Sequence, residues 1–193
     1  IDEDRKRLAE VERVALGDAE RSRILQSLDV QETPESAHRF LVRCGYWQTD
    51  HNPWPRRIGA RLGPVEIGVP DLPAEPRRDL TDLEAWAIDD AGNQDPDDAI
   101  SIDGETVWVH VADVAALVRA DGHVDLAARE RSANLYLPDA IHPMLPDVVT
   151  ERLGLGLAEQ SPALSFGFRF DGQQVADVEV VPSLVRVRRA SYD

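Results

Sequence analysis

The strongest constraint on how this chain can fold is a change of hydrophobic period near Leu83. Ahead of it, apolar residues recur at the i, i+3, i+4 spacing of helices; beyond it they alternate in twos, as in strands. Between the two patterns lies a proline-bearing stretch. The order predicts an α+β chain, with a small helical domain over residues 1–63, an extended linker over 64–82, and a sheet-containing mixed α/β domain over 83–193.

From about Asp4 to Leu28 the pattern is helical, with Leu8, Val11 and Ala15 on one stripe and Ile24, Leu25 and Leu28 on another. Gly17-Asp18 interrupts it, so two helices joined by a short turn are expected. Thr33 then offers an N-cap and Pro34 suits the first helical position. Ala37, Phe40, Leu41 and Cys44 form a third apolar stripe, which Gly45 ends. With Tyr46, Trp47 and possible short strands between Ile58 and Val69, these helices resemble a helix-turn-helix or winged-helix module. Pro70, Pro73 and Pro76 mark the connector that follows.

In the second half, Trp86 and Ile88 alternate with smaller residues, and Ala99 to Ile102 forms a short apolar run. Asp103-Gly104 is a hairpin signal leading into a strand from Val107 to Asp113. Helices are expected from Val124 to Asn134 and from Pro146 to Leu153. Phe166, Phe168 and Phe170 alternate up to a second turn at Asp171-Gly172, Val175, Val178 and Val180 continue beyond it, and a last strand is expected from Leu184 to Arg188.

Asp89, Asp95, Asp97 and Asp98, spaced D-x-x-x-x-x-D-x-D-D, fall in the loop between two of these strands. Carboxylates about 4 Å apart repel by about 4 kcal/mol per pair at an effective dielectric of about 20, so a fold gathers them for a compensating cation. Magnesium, a hard ion, suits an all-oxygen cluster. A calcium loop of the EF-hand type fails because Ala91 stands third from Asp89. Zinc fails for want of partners to His110, which reads as a core or surface histidine. Pro96 keeps Asp95 out of helical geometry and stiffens the loop.

The net charge of −15 argues against simple nucleic-acid binding. Yet the arginines cluster at 56, 57 and 61, at 77 and 78, and at 186, 188 and 189, while acids crowd 71–98. A phosphate substrate held by local arginines, with a cation bridging it to the carboxylates, is compatible with that distribution. No apolar run approaches the roughly 20 residues of a membrane span, and the first seven residues lack a signal peptide's hydrophobic stretch, so the expected setting is the cytoplasm. Cys44, the only cysteine, cannot form an internal disulfide. Since the chain starts at Ile1 and its only methionine is Met144, a trimmed natural start is expected.

Five ordered blocks carry a resemblance to a known family: Asp79 to Leu83, Ile88 to Ala99, Val109 to Val114, Asn134 to Pro138, and Ile141 to Pro146. Together they resemble the catalytic domain of the ribonuclease II (RNB) family over about residues 80–192. That resemblance implies a hydrolytic exoribonuclease which degrades single-stranded RNA from the 3′ end to nucleoside 5′-monophosphates with Mg2+. It places the family's four catalytic and metal-site aspartates on Asp89, Asp95, Asp97 and Asp98, leaves out Asp90, and puts the aromatic that stacks on the 3′-terminal base at Tyr136. It further implies that Asp89, Asp95 and Asp98 hold the ion while Asp97 orients a water or holds a second ion.

The family's catalytic domain is longer than this stretch. The expected partners are therefore its carboxy-terminal remainder and an S1-type domain, and little activity is expected from residues 1–193 alone. The helical amino-terminal module departs from the cold-shock-type barrels usual there. An alternative is a non-catalytic nucleic-acid-binding regulator working through that module.

Overall fold

The computed structural model describes residues 2–138 and 140–192, and the chain divides into two compact units, Ile1–Leu62 and Gly63–Asp193.

In the first unit, α1 (Asp2–Leu16) ends at Gly17, whose φ of +83° is the left-handed conformation that glycine adopts without a Cβ penalty. Next comes α2 (Arg23–Ser27), capped by Ser22, whose side chain accepts from the Leu25 N–H. Thr33 caps α3 (Pro34–Arg43) through the Ser36 N–H at 3.2 Å, with Pro34 at the first position as expected. A single turn, α4 (Trp54–Arg57), completes the set. Val11, Val14, Ala15, Leu25, Ala37, Leu41 and Trp47 form the core. Glu12 accepts from the Tyr46 hydroxyl at 3.1 Å and from the Trp47 indole at 3.2 Å, so the aromatic pair after α3 is tied back to α1.

Two expectations fail here. Leu28 is exposed, because α2 ends at Ser27. The possible strands over 58–69 do not form: Gly59 and Gly63 take positive φ, Pro64 has no N–H to give a ladder, and Ile58 and Leu62 stay exposed with no partner strand.

The second unit begins as irregular chain over 64–77 and then builds a seven-stranded sheet. Its strands are β1 (Arg78–Asp79), β2 (Ala85–Asp89), β3 (Asp98–Asp103), β4 (Thr106–Ala112), β7 (Ser161–Phe170), β8 (Val175–Val185) and β9 (Val187–Ser191), in the order β1-β8-β7-β4-β3-β2-β9. The β1–β8 and β2–β9 pairs are parallel and the rest antiparallel. A separate ribbon joins β5 (Leu135–Tyr136) to β6 (Ile141–His142), and two helices, α5 (His123–Arg131) and α6 (Asp147–Leu153), flank it in sequence. The expected last strand, Leu184 to Arg188, is in fact two: β8 runs to Val185, and after Arg186 the chain pairs as β9 beside β2.

Small residues dominate the covered side of the sheet: Ala85, Ala87, Ala99, Ser101, Ala163, Ser165 and Ser183. Trp108 and His110 are the large exceptions, and Gly167 makes room for Trp108, since a Cβ there would lie 2.8 Å from the indole ring. The other side carries a row of apolar residues in register, Trp86–Ile100–Val109–Phe166–Val180, across five strands. Trp86, Ile100 and Val180 are exposed there, as is Ile88. Alternation was legible in the sequence; which face the protein covers was not, for β2 buries its alanines and presents its tryptophan.

A polar chain crosses the covered side. His110 is buried, with Nε2 2.9 Å from Ser101 Oγ and Nδ1 2.7 Å from Ser165 Oγ, which lies 2.5 Å from Ser183 Oγ. Burial pushes the His110 pKa down to about 4, against 6.5 for the free side chain. Between those values the unfolded chain takes up a proton that the folded chain refuses. This contribution to stability is therefore complete above pH 6.5 and is lost progressively as the pH falls to about 4, by about 3 kcal/mol in all. Urea midpoints at pH 7 and pH 4.5 are expected to diverge less in His110→Asn than in the parent; equal pH sensitivity in both would contradict the assignment.

Candidate active site

Asp89 ends β2 and Asp98 opens β3, so the four aspartates sit at one end of neighbouring strands and in the loop between them. By strand alternation Asp89 lies on the side of Ala85 and Ala87, and Asp98 on the side of Ile100. The loop is held from several directions. It turns between Asp90 O and Asn93 N–H at 3.0 Å, with Gly92 at φ +86°. Asn93 donates to Asp89 Oδ1 at 2.6 Å and accepts from the Asp95 N–H at 3.1 Å, while the Arg189 guanidinium donates to its carbonyl. Pro96 is buried, its carbonyl accepts from Leu155 N–H at 2.9 Å, and the Asp97 carbonyl accepts from Ala112 N–H at 2.8 Å. Backbone at the carboxylates is thus fixed by the sheet on one side and the chain after α6 on the other.

Each carboxylate has a distinct setting. Asp95 Oδ2 accepts two bonds, from the Tyr136 hydroxyl at 2.6 Å and from Asn134 Nδ2 at 2.9 Å. That bond to Asp95 is the main reason the Tyr136 hydroxyl holds its proton more tightly than a free tyrosine, although its ring is exposed. The Asp97 pKa is raised, first by burial and then by the charges of Asp98, Asp95 and Asp89, against the lowering effect of its own backbone N–H. Asp89 Oδ2 is buried without a hydrogen-bond partner. Asp90 lies in the exposed turn.

A cleft of about 770 Å³ opens beside Asp95 and Asp97, which line it with Gln94, Asn134, His142 and Met144 among others; Asp89 and Asp98 do not line it. Among the described residues no group of three or more His, Cys, Asp or Glu side chains is placed to hold a metal ion. The donor chemistry nevertheless suits a hard divalent cation: all four candidates are carboxylates, one buried oxygen lacks any partner, and one carboxyl is burdened by its neighbours' charge. Two residues that sequence reasoning gave no role, Asn93 and Asn134, prove to hold Asp89 and Asp95. Their only sequence signal is position, one inside the aspartate run and the other two residues before Tyr136.

This sheet, with its aspartate loop at one end, has known counterparts. The RNB domain model matches residues 77–193 and a double HTH domain model matches residues 1–53. The chain belongs to the RNB family. It is 31% identical over 212 aligned positions to an uncharacterized ribonuclease of Synechocystis, covering 98% of this chain and 32% of that protein. Among solved structures it resembles Mycoplasma genitalium RNase R in complex with ribose-methylated single-stranded RNA, at 28% identity and a TM-score of 0.55, over 60% of this chain and 19% of that one. The fold of Candida glabrata Dss1 exoribonuclease matches 98% of the chain and 30% of its own length, with a TM-score of 0.76 at 20% identity. The chain spans a third or less of the curated relatives it matches. No described helix is long and apolar enough to cross a membrane.

Proposed function

We propose that this chain supplies the aspartate corner of a 3′-to-5′ exoribonuclease that degrades single-stranded RNA to nucleoside 5′-monophosphates with Mg2+. The observation that carries this reading is the partnerless buried oxygen of Asp89 at the end of β2, with Asp95 and Asp97 of the following loop lining a cleft and the Asp97 pKa raised by desolvation and then by the charges of Asp98, Asp95 and Asp89, in a chain of the RNB family. Asp89, Asp95 and Asp98 would hold the ion, which when bound neutralises phosphate charge and makes water more acidic. Asp97 orients the attacking water or takes a second ion. Tyr136, exposed and projecting its ring beside Asp95, stacks on the terminal base without reading its identity, as suits a degradative enzyme.

The working protein, in this reading, is longer than these 193 residues and includes the remainder of the catalytic domain and an S1-type domain. The uncovered apolar row on the sheet supports that view, because a face of this kind is ordinarily packed. Cytoplasmic action belongs to the same proposal. Full-length protein incubated with 5′-labelled single-stranded RNA and Mg2+ is expected to give a ladder shortening from the 3′ end. Internal cuts would refute the exonuclease assignment. Duplex DNA binding without any RNA decay would favour a regulator acting through the helical module.

A further inference from the structure

Asn134 uses every polar atom of its side chain on the candidate site and its support. Oδ1 accepts the Met144 N–H at 2.7 Å, and Nδ2 donates both to Asp95 Oδ2 at 2.9 Å and to the Tyr136 hydroxyl at 3.2 Å. The Tyr136 hydroxyl itself donates to the same Asp95 oxygen at 2.6 Å. An amide is the side chain that provides one acceptor and two N–H groups from a single planar head. A carboxylate has no donor, and a hydroxyl has one.

From this triangle we propose that Asn134 is a positioning residue which clamps Asp95 and Tyr136 into one unit, so that the carboxylate facing the cation and the ring facing the terminal base are set together. The inference rests on the functional reading above. It gains weight from the weakness of the local scaffold: β5 and β6 pair over only two residues each, and a ribbon that short does not hold a side chain firmly. The bond from Met144 N–H to Asn134, with Leu137 N–H to Ala140 O at 2.9 Å and Arg131 to Pro143 O at 3.1 Å, gives the ribbon the anchorage its ladder lacks.

Hydrogen bonds behind a liganding carboxylate typically govern about 10- to 100-fold in metal affinity. Asn134→Ala is therefore expected to weaken Mn2+ binding to the RNA-free full-length protein, followed by electron paramagnetic resonance, by about tenfold or more. It should also weaken quenching of 2-aminopurine placed at an RNA 3′ end, read in an Asp97→Asn background to prevent turnover. Tyr136→Phe, a change at an exposed ring, keeps the quenching but lowers Mn2+ affinity severalfold. Because both donors act on one oxygen, the double variant should bind Mn2+ no more weakly than Asn134→Ala.

A tyrosine that only stacks gives unchanged Mn2+ affinity in Tyr136→Phe, which overturns the proposal even if Asn134→Ala fails to fold; an asparagine that only braces the ribbon leaves the double variant binding Mn2+ more weakly than Asn134→Ala, which overturns it as well. Parent protein that binds no Mn2+ and shortens no RNA overturns instead the functional reading, and the inference with it.

Discussion

Asp97→Asn in the full-length protein is expected to slow the shortening of a 5′-labelled RNA by about a thousandfold, or about 4 kcal/mol of transition-state stabilisation. The substitution keeps the shape of the side chain and removes its charge. That charge is disfavoured where it stands: partial desolvation raises the Asp97 pKa, and Asp98, Asp95 and Asp89 raise it further. In the absence of divalent ions the same substitution removes a carboxylate that its neighbours Asp98, Asp95 and Asp89 repel, so the melting temperature should stay level or rise. Loss of activity with retained or increased stability marks a group kept for chemistry at the expense of the fold. Wild-type rates in Asp97→Asn would remove this residue from the mechanism; an equal loss of activity and stability would reassign it to structure.

Arg77→Ala should cost the second unit about 3–5 kcal/mol, the range observed when one member of a buried ion pair is removed. The Arg77 side chain is only 5% exposed and Asp113, its partner at 2.7 Å, 15%. Arg77 also donates to the carbonyls of Ala163 at 3.3 Å and Ser183 at 3.4 Å, so one guanidinium joins the end of the connector to β7, β8 and the residue after β4. Truncation leaves the half-buried Asp113 carboxylate without the guanidinium that binds it. Urea unfolding followed by tryptophan fluorescence measures the loss. Removing both charges, as Arg77→Met with Asp113→Leu, should recover much of it, because the penalty lies in the abandoned carboxylate more than in the missing attraction. A loss below about 1 kcal/mol in Arg77→Ala would show that the pair is hydrated in solution.

What could be read from the sequence follows the range of the interactions involved. Helix ends were legible at Thr33, Pro34 and Gly45 because capping and positive φ are local requirements. The hairpin signals at Asp103-Gly104 and Asp171-Gly172 were legible for the same reason, and strands β3, β4, β7 and β8 flank them. Choice of sheet face was not local. Ala87 goes under in a cluster with Leu80, Trp108, Leu155, Ala163 and Val185, and this depends on partners far along the chain. The strand β9 escaped for a related reason: nothing near Arg186 says that the chain will leave β8 and pair with β2, about a hundred residues earlier in sequence. At the candidate site the aspartates stand out as an electrostatic anomaly in any window of sequence. Asn93 and Asn134 do not, since an asparagine becomes informative only when its amide is seen against a carboxylate.

The apolar row from Trp86 to Val180 bears on how copies of this chain meet one another in water. Two such faces attract at short range through the release of hydration water, while a net charge of −15 repels at longer range. At low ionic strength the repulsion reaches about 30 Å and keeps copies apart; at 1 M salt it reaches only about 3 Å, and the faces can touch. Ionic strength is thus expected to govern the colloidal behaviour of these 193 residues through their acidic excess, on which Mg2+ added for chemistry also acts.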